Sequence, residues 1–157
     1  MSLKKPSRTM PVTTTQMDWL NDLPAQGLSA AQTLQWLQLW TEQGLLRHID
    51  SAFAAQVLRL DAHASPALLV AAAVLAHMEG RGHTCLSVTE LCQPPLALLG
   101  WPAAAVDGAQ GLKAMWAHLP STLADWQTAL QADLQGHRSS VGVRLADAPD
   151  QGQPMVL

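Results

Sequence analysis

Residues 65–80, SPALLVAAAVLAHMEG, decide the fold. Ser65-Pro66 is a helix start: a hydroxyl to cap an orphan amide, then proline at the first helical position, where its missing N–H costs nothing. Leu68, Leu69, Ala72, Ala73, Leu75 and Ala76 follow, and Gly80 supplies the stop. Nearly every face of this helix is apolar, so it belongs at the centre of a helical domain with its neighbours wrapped around it. Its alanines let those neighbours come close.

Outward from it, the flanking segments are amphipathic helices with recognisable starts. Ser29-Ala30-Ala31-Gln32 has the form of a capping box and opens a helix ending at Gly44, with Leu34, Trp36, Leu37 and Trp40 in two adjoining stripes. Asp50 is an N-cap candidate ahead of Phe53, Ala54, Val57 and Leu58, giving a helix to about Ala62. Ser87-Val88-Thr89-Glu90 is a second capping-box pattern, opening a short helix that Pro94-Pro95 breaks. A further helix is expected over 111–119. Ser121 then caps one through Leu123, Trp126, Leu130 and Leu134.

The pattern changes after Gly136. Val141, Val143 and Leu145 alternate with Gly142 and Arg144, the period of a half-buried strand, and residues 148–152, APDQG, read as a loop. Pro154-Met155-Val156-Leu157 starts a second strand at the chain end, which points to a fragment cut where a hairpin would close. The expected fold is therefore mainly α, a compact bundle of about five to six helices with a short, truncated β-hairpin at its C-terminal end. Residues 1–15, polar and aperiodic, read as a disordered leader or expression-derived residues, 16–138 as the helical domain, and 139–157 as the start of the hairpin.

Composition narrows the function. Net charge is −3 with 9 Lys and Arg in 157 residues, a poor electrostatic footprint for a domain that grips nucleic acid unaided. The charged fraction is 13%, about half the usual value for soluble domains, so much of the surface is weakly polar and suits a protein partner. No apolar run is long enough to cross a bilayer and no secretion signal opens the chain, so a cytoplasmic location is expected. Cys85 and Cys92 do not suggest a disulfide framework.

Candidate chemistry is thin. His77, His83, Cys85 and Cys92 form a His/Cys cluster, but their spacing is not that of a zinc site, so a small buried cysteine and a backbone-bonded histidine are the expected roles. A nucleophile pair of His83 and Cys85 is not expected, because no third group is indicated to orient the base. Gly80 and Gly82 serve as a helix cap and a sharp turn, positions that need positive φ or close backbone approach. The basic pairs Arg47-His48 and His137-Arg138 read as solvated charge, and Trp116 and Trp126 as packing residues. No G-x-x-x-x-G-K-[ST] occurs, and the lysines are Lys4, Lys5 and Lys113, so this chain builds no P-loop. No paired-carboxylate nuclease centre appears either. No catalytic, cofactor-binding or metal-binding residue is expected.

Ile49-Asp50, Phe53-Ala54, Leu69, Ala71-Ala72-Ala73, Gly82-His83, Cys85-Leu86 and Leu91 follow one another in an order that carries a family resemblance. The stretch from Leu46 to Leu91, with its Gly-His-x-Cys-Leu element, resembles the N-terminal region of the RecD family, the alpha subunit of bacterial exodeoxyribonuclease V. The segment 154–157, PMVL, is similar to the family's lead into its motor domains. The resemblance implies a parent 5′–3′ DNA helicase subunit working in a RecBCD complex for double-strand break repair and recombination, with ATP and magnesium used by domains downstream of Leu157 and no cofactor here. It implies that this region docks onto a RecC-like subunit and, through the complex, a RecB-like one, with DNA met only by the whole protein and no membrane involved. Gly80, Gly82, His83, Cys85 and Leu86 then carry structural roles, and Trp36, Trp40 and Phe53 are the candidate interface, with exposed Trp36 or Trp40 as anchors. Two alternatives stand beside it. One is a free-standing helical adaptor, favoured if the gene ends at Leu157; the other is a small DNA-end-binding module, favoured by salt-sensitive binding to a duplex end.

Overall fold

A computed structural model of the chain describes residues 27–94, 99–101, 115–136, 144–145 and 155–156. Helix α1 spans Ala30–Glu42, α2 His48–Leu60, α3 Pro66–Glu79 and α4 Leu123–Gly136, with a 3-10 helix at Val88–Cys92. The described chain is mainly helical.

Helix α3 is the axis. Every residue from 67 to 76 is buried, and so is Met78. Helices α1 and α2 pack on it and on each other, and α4 packs on α3 and on the 3-10 helix. A helix apolar on all sides is stable in water only when surrounded in this way. Its start is as the sequence specifies: Ser65 Oγ accepts from Leu68 N at 3.2 Å, with Pro66 at the first helical position. The same hydroxyl donates to the Asp133 carboxylate, which ties the start of α3 to α4.

Helix α1 has the expected capping box, with Ser29 Oγ accepting from Gln32 N at 3.1 Å and Gln32 Oε1 from Ser29 N at 2.9 Å. It closes before Gly44, whose φ of 75° turns the chain so that Leu45 N donates to Trp40 O. Trp36, Leu37 and Trp40 face inward and are buried.

Other boundaries differ from the sequence reading for local reasons. Asp50 is not the N-cap of α2: the cap is Arg47, and Asp50 sits in the third helical position, its carboxylate accepting from Arg47 N at 2.9 Å. A carboxylate can satisfy the orphan amides from either position. Helix α2 ends at Leu60 rather than Ala62, because Asp61 is extended and its side chain takes the His63 amide at 2.9 Å to form a turn. Ser87 makes no side-chain cap, and the segment it precedes is 3-10. Thr122, not Ser121, caps α4, accepting from Asp125 N at 3.2 Å.

The expected helix over 111–119 lies largely outside the described residues; 115–116 are helical and run into a turn. The leader read at 1–15 lies outside them altogether. Of the expected hairpin, two short strands are described, β1 at Arg144–Leu145 and β2 at Met155–Val156, antiparallel with Arg144 opposite Val156. Those four residues do not establish a hairpin, and a count of five to six helices is likewise not established.

Candidate functional site

Two features stand out on α2, a buried polar hub at its N-terminal end and an apolar stripe along its outer side. The hub begins with Asp50, which is fully buried. Its carboxylate accepts from Arg47 Nη2 at 2.6 Å, Arg47 Nε at 3.1 Å and the Arg47 backbone amide, and it meets His77 Nδ1 of α3 at 2.8 Å. Arg47 Nη2 also donates to Ala76 O at 2.7 Å, a carbonyl in the last turn of α3 that accepts from Gly80 N as well. The hydrogen bond to Asp50, aided by attraction to Asp50 and Glu79 and opposed by desolvation, raises the Arg47 pKa. The Arg47 donors offset the cost of burying the Asp50 carboxylate.

Above the hub lies a short strap, residues 99–101. Leu99 O accepts from Arg81 Nη1 at 2.7 Å and faces His77 Nε2 at 3.3 Å. Trp101 Nε1 donates to Leu45 O at 2.7 Å, and its ring meets Trp40 edge-on with centroids 5.6 Å apart. Trp40 in turn packs on Trp36 at 6.3 Å, so three indoles run from the strap into the core. Gly80 and Gly100 make room for the two guanidinium groups. A Cβ on Gly80 would lie 1.8 Å from Arg47 Nη1, and one on Gly100, where φ is 68°, 2.0 Å from Arg81 Nη1.

The stripe is formed by residues recurring along one side of α2. Among the described residues, Ile49 and Leu60 are the large hydrophobic side chains that stand exposed, at 65% and 49%, with exposed Ala52 and Gln56 and half-buried Phe53 between them. Residues at 49, 52, 53, 56 and 60 lie on one face at 3.6 residues per turn. The inward side of the same helix is satisfied by Ala54 and Val57.

Of the residues singled out from the sequence, Gly80 and Gly82 flank the turn that follows α3. Gly80 caps α3 at the close approach of Arg47, and Gly82 turns the chain with φ 89°. Leu86 is buried, while His83 and Cys85 are exposed and Cys92 is half-buried. A buried role for Cys85 is thus corrected. No group of three or more His, Cys, Asp and Glu among the described residues could hold a metal. Trp36 and Trp40 need the larger correction: they are 0% and 1% exposed, so neither is an exposed anchor, and of the candidate interface Phe53 alone borders solvent. Arg47 is not simply solvated charge, since Asp50 and Ala76 O hold it. His137 and Arg138 lie outside the described residues. Trp116 donates to Leu91 O at 2.9 Å and Trp126 is fully buried, both as packing residues.

The hub and strap were missed because their partners are far apart in sequence. The available signal was Asp50 three residues after Arg47, the spacing of reciprocal capping. Among the described residues, no helix is long and apolar enough to cross a membrane.

In comparisons with known proteins, no curated protein and no solved structure matches this chain. A family model does match, that of the RecBCD enzyme subunit RecD, N-terminal domain, over residues 42–157. The match takes in α2, its hub and stripe, α3, the Gly80–Leu86 turn and the segment 154–157, extending on both sides of the stretch that carried the resemblance. Well over half of the sequence is covered, and the chain belongs to the family of RecD N-terminal domains.

Proposed function

We propose that this domain is the docking module through which a RecD-type subunit joins its RecBCD complex, and that the outer stripe of α2 is the contact surface. The observation that carries this reading is the exposure of Ile49 and Leu60 on a helix whose inner side is already filled. Large aliphatic groups standing in water on one face gain by being covered. The low charge of the chain fits the same role, because interface cores are depleted in charge.

The partner is a RecC-like subunit, with a RecB-like subunit reached through the complex. The 5′–3′ helicase activity, and the ATP and magnesium it uses, belong to motor domains outside residues 1–157. The domain itself supplies no catalytic group, and the setting is the cytoplasm of a bacterium repairing double-strand breaks. Membership of the RecD family disfavours an unrelated adaptor. The DNA-end module is disfavoured by the −3 net charge.

Binding of the RecD-type subunit to its own RecC-like subunit, followed by titration calorimetry, tests the role. Ile49→Asp with Leu60→Asp is expected to weaken association by at least roughly 30-fold, the size of a hot-spot loss. Unchanged affinity with the fold intact overturns the assignment of the surface. Absence of any association by the wild-type subunit overturns docking itself.

A further inference from the structure

Granting that the α2 stripe is the docking surface, we infer that the protein surface it meets is apolar at its centre and bordered by carboxylates, with Arg59 as the residue that pairs with them. The charges around the stripe point to this partner. Between Glu42 and Glu79 the sequence has two carboxylates, Asp50 and Asp61, and two arginines, Arg47 and Arg59. Both carboxylates are buried, at 0% and 4% exposure. Arg47 is already paired with Asp50, whereas Arg59 stands exposed and makes no ion pair among the described residues. The stretch has no formal net charge, yet it presents to solvent an unpaired cation and no anion. The whole −3 of the chain belongs to the residues outside it.

Helical spacing puts that cation at the border of the apolar surface. Arg59 follows Ala52 by seven residues and Gln56 by three, and it directly precedes Leu60, so it lies along one flank of the stripe. A guanidinium beside exposed aliphatic groups is the pairing that interfaces favour, and its planar fork matches a carboxylate with two parallel hydrogen bonds.

Other occupants suit the face less well. A second copy laid stripe on stripe would offer Arg59 no exposed carboxylate, because neither copy has one on this face. Nucleic acid would need several cations along a backbone track, and α2 has one unpaired arginine among aliphatic neighbours.

A charge at the border of an interface acts mainly on the association rate and its salt dependence. The test is stopped-flow association of the RecD-type subunit with its RecC-like subunit at about 50 mM and about 500 mM salt, each variant first shown to be folded by circular dichroism. At low salt Arg59→Glu is expected to slow association by at least about fivefold, with a much smaller change in dissociation, and the difference should close at high salt. Arg59→Gln should slow association more than Gln93→Glu, which changes the net charge by the same amount at an exposed position outside α2. Equal low-salt rates for the wild-type and Arg59→Glu subunits, with Ile49→Asp and Leu60→Asp still weakening the complex, overturn the carboxylate border and leave the docking surface standing. A wild-type subunit that does not associate overturns both. A dimer of the free RecD-type subunit that Leu60→Asp disperses in sedimentation gives the stripe to a second copy, and overturns the inference as well.

Discussion

Asp50 and His77 meet at 2.8 Å across the boundary between α2 and α3, a carboxylate from the first turn of one helix against an imidazole from the last turn of the next. The contact fixes where one helix starts relative to where its neighbour stops. It also places Arg47 so that one guanidinium serves the buried carboxylate and the Ala76 carbonyl together. The apolar stripe of α2 begins beside this hub at Ile49, so the hub sets the position of the proposed contact surface.

Replacing Asp50 by Ala removes the acceptor for Arg47 and His77 at once. Breaking a buried charged network by deleting one member costs about 3–5 kcal/mol. For a domain of this size that lowers the melting temperature by roughly 10 °C, read by calorimetry or circular dichroism.

Gly80→Ala should cost about 1–3 kcal/mol, because its Cβ would fall 1.8 Å from Nη1 of an Arg47 guanidinium whose Nε and Nη2 are held by Asp50 and Ala76 O. In an Arg47→Ala background the same change should be nearly free. Chemical denaturation of the two single variants and the double one measures that coupling, and additive losses would contradict the steric account.

How far the sequence discloses this arrangement depends on the range of each interaction. The starts of α1 and α3 are legible because the Ser29 and Ser65 hydroxyls bond amides three residues on, a relation contained in one turn. Asp50 is harder, since an aspartate near a helix start serves equally as cap or as third residue, and the choice rests on Arg47 and on a histidine in another helix. The stripe pattern of α1 marks Trp36 and Trp40 as apolar neighbours but says nothing about what covers them. That is decided by α3 and by Trp101, which arrives from a distant part of the chain. Ser87 shows the converse, a capping-box pattern in front of a segment that winds as a 3-10 helix.

The burial of Trp36 has a consequence opposite to that of an exposed anchor. Trp36→Ala should destabilise the isolated chain by about 3–5 kcal/mol, whereas Ile49→Ala on the stripe should change its stability by no more than about 0.5 kcal/mol. Equilibrium unfolding of the two variants compares them directly.

Trp40 and Trp101 share a ring contact but differ at the indole nitrogen. Trp101 Nε1 donates to Leu45 O, while Trp40 Nε1 has no acceptor among the described residues. Trp101→Phe should therefore cost about 1–3 kcal/mol more than Trp40→Phe, through the carbonyl it leaves unpaired. Equal losses would mean that the strap bond contributes nothing.

The most direct test of the docking account is site-specific photo-crosslinking in the assembled complex, with benzoylphenylalanine placed in turn at Ile49, Leu60 and, as a control, the exposed Glu90 outside α2. The account predicts crosslinks from positions 49 and 60 to the RecC-like subunit and none from position 90. Crosslinks from position 90 with none from 49 or 60, in a complex of normal composition, would contradict it.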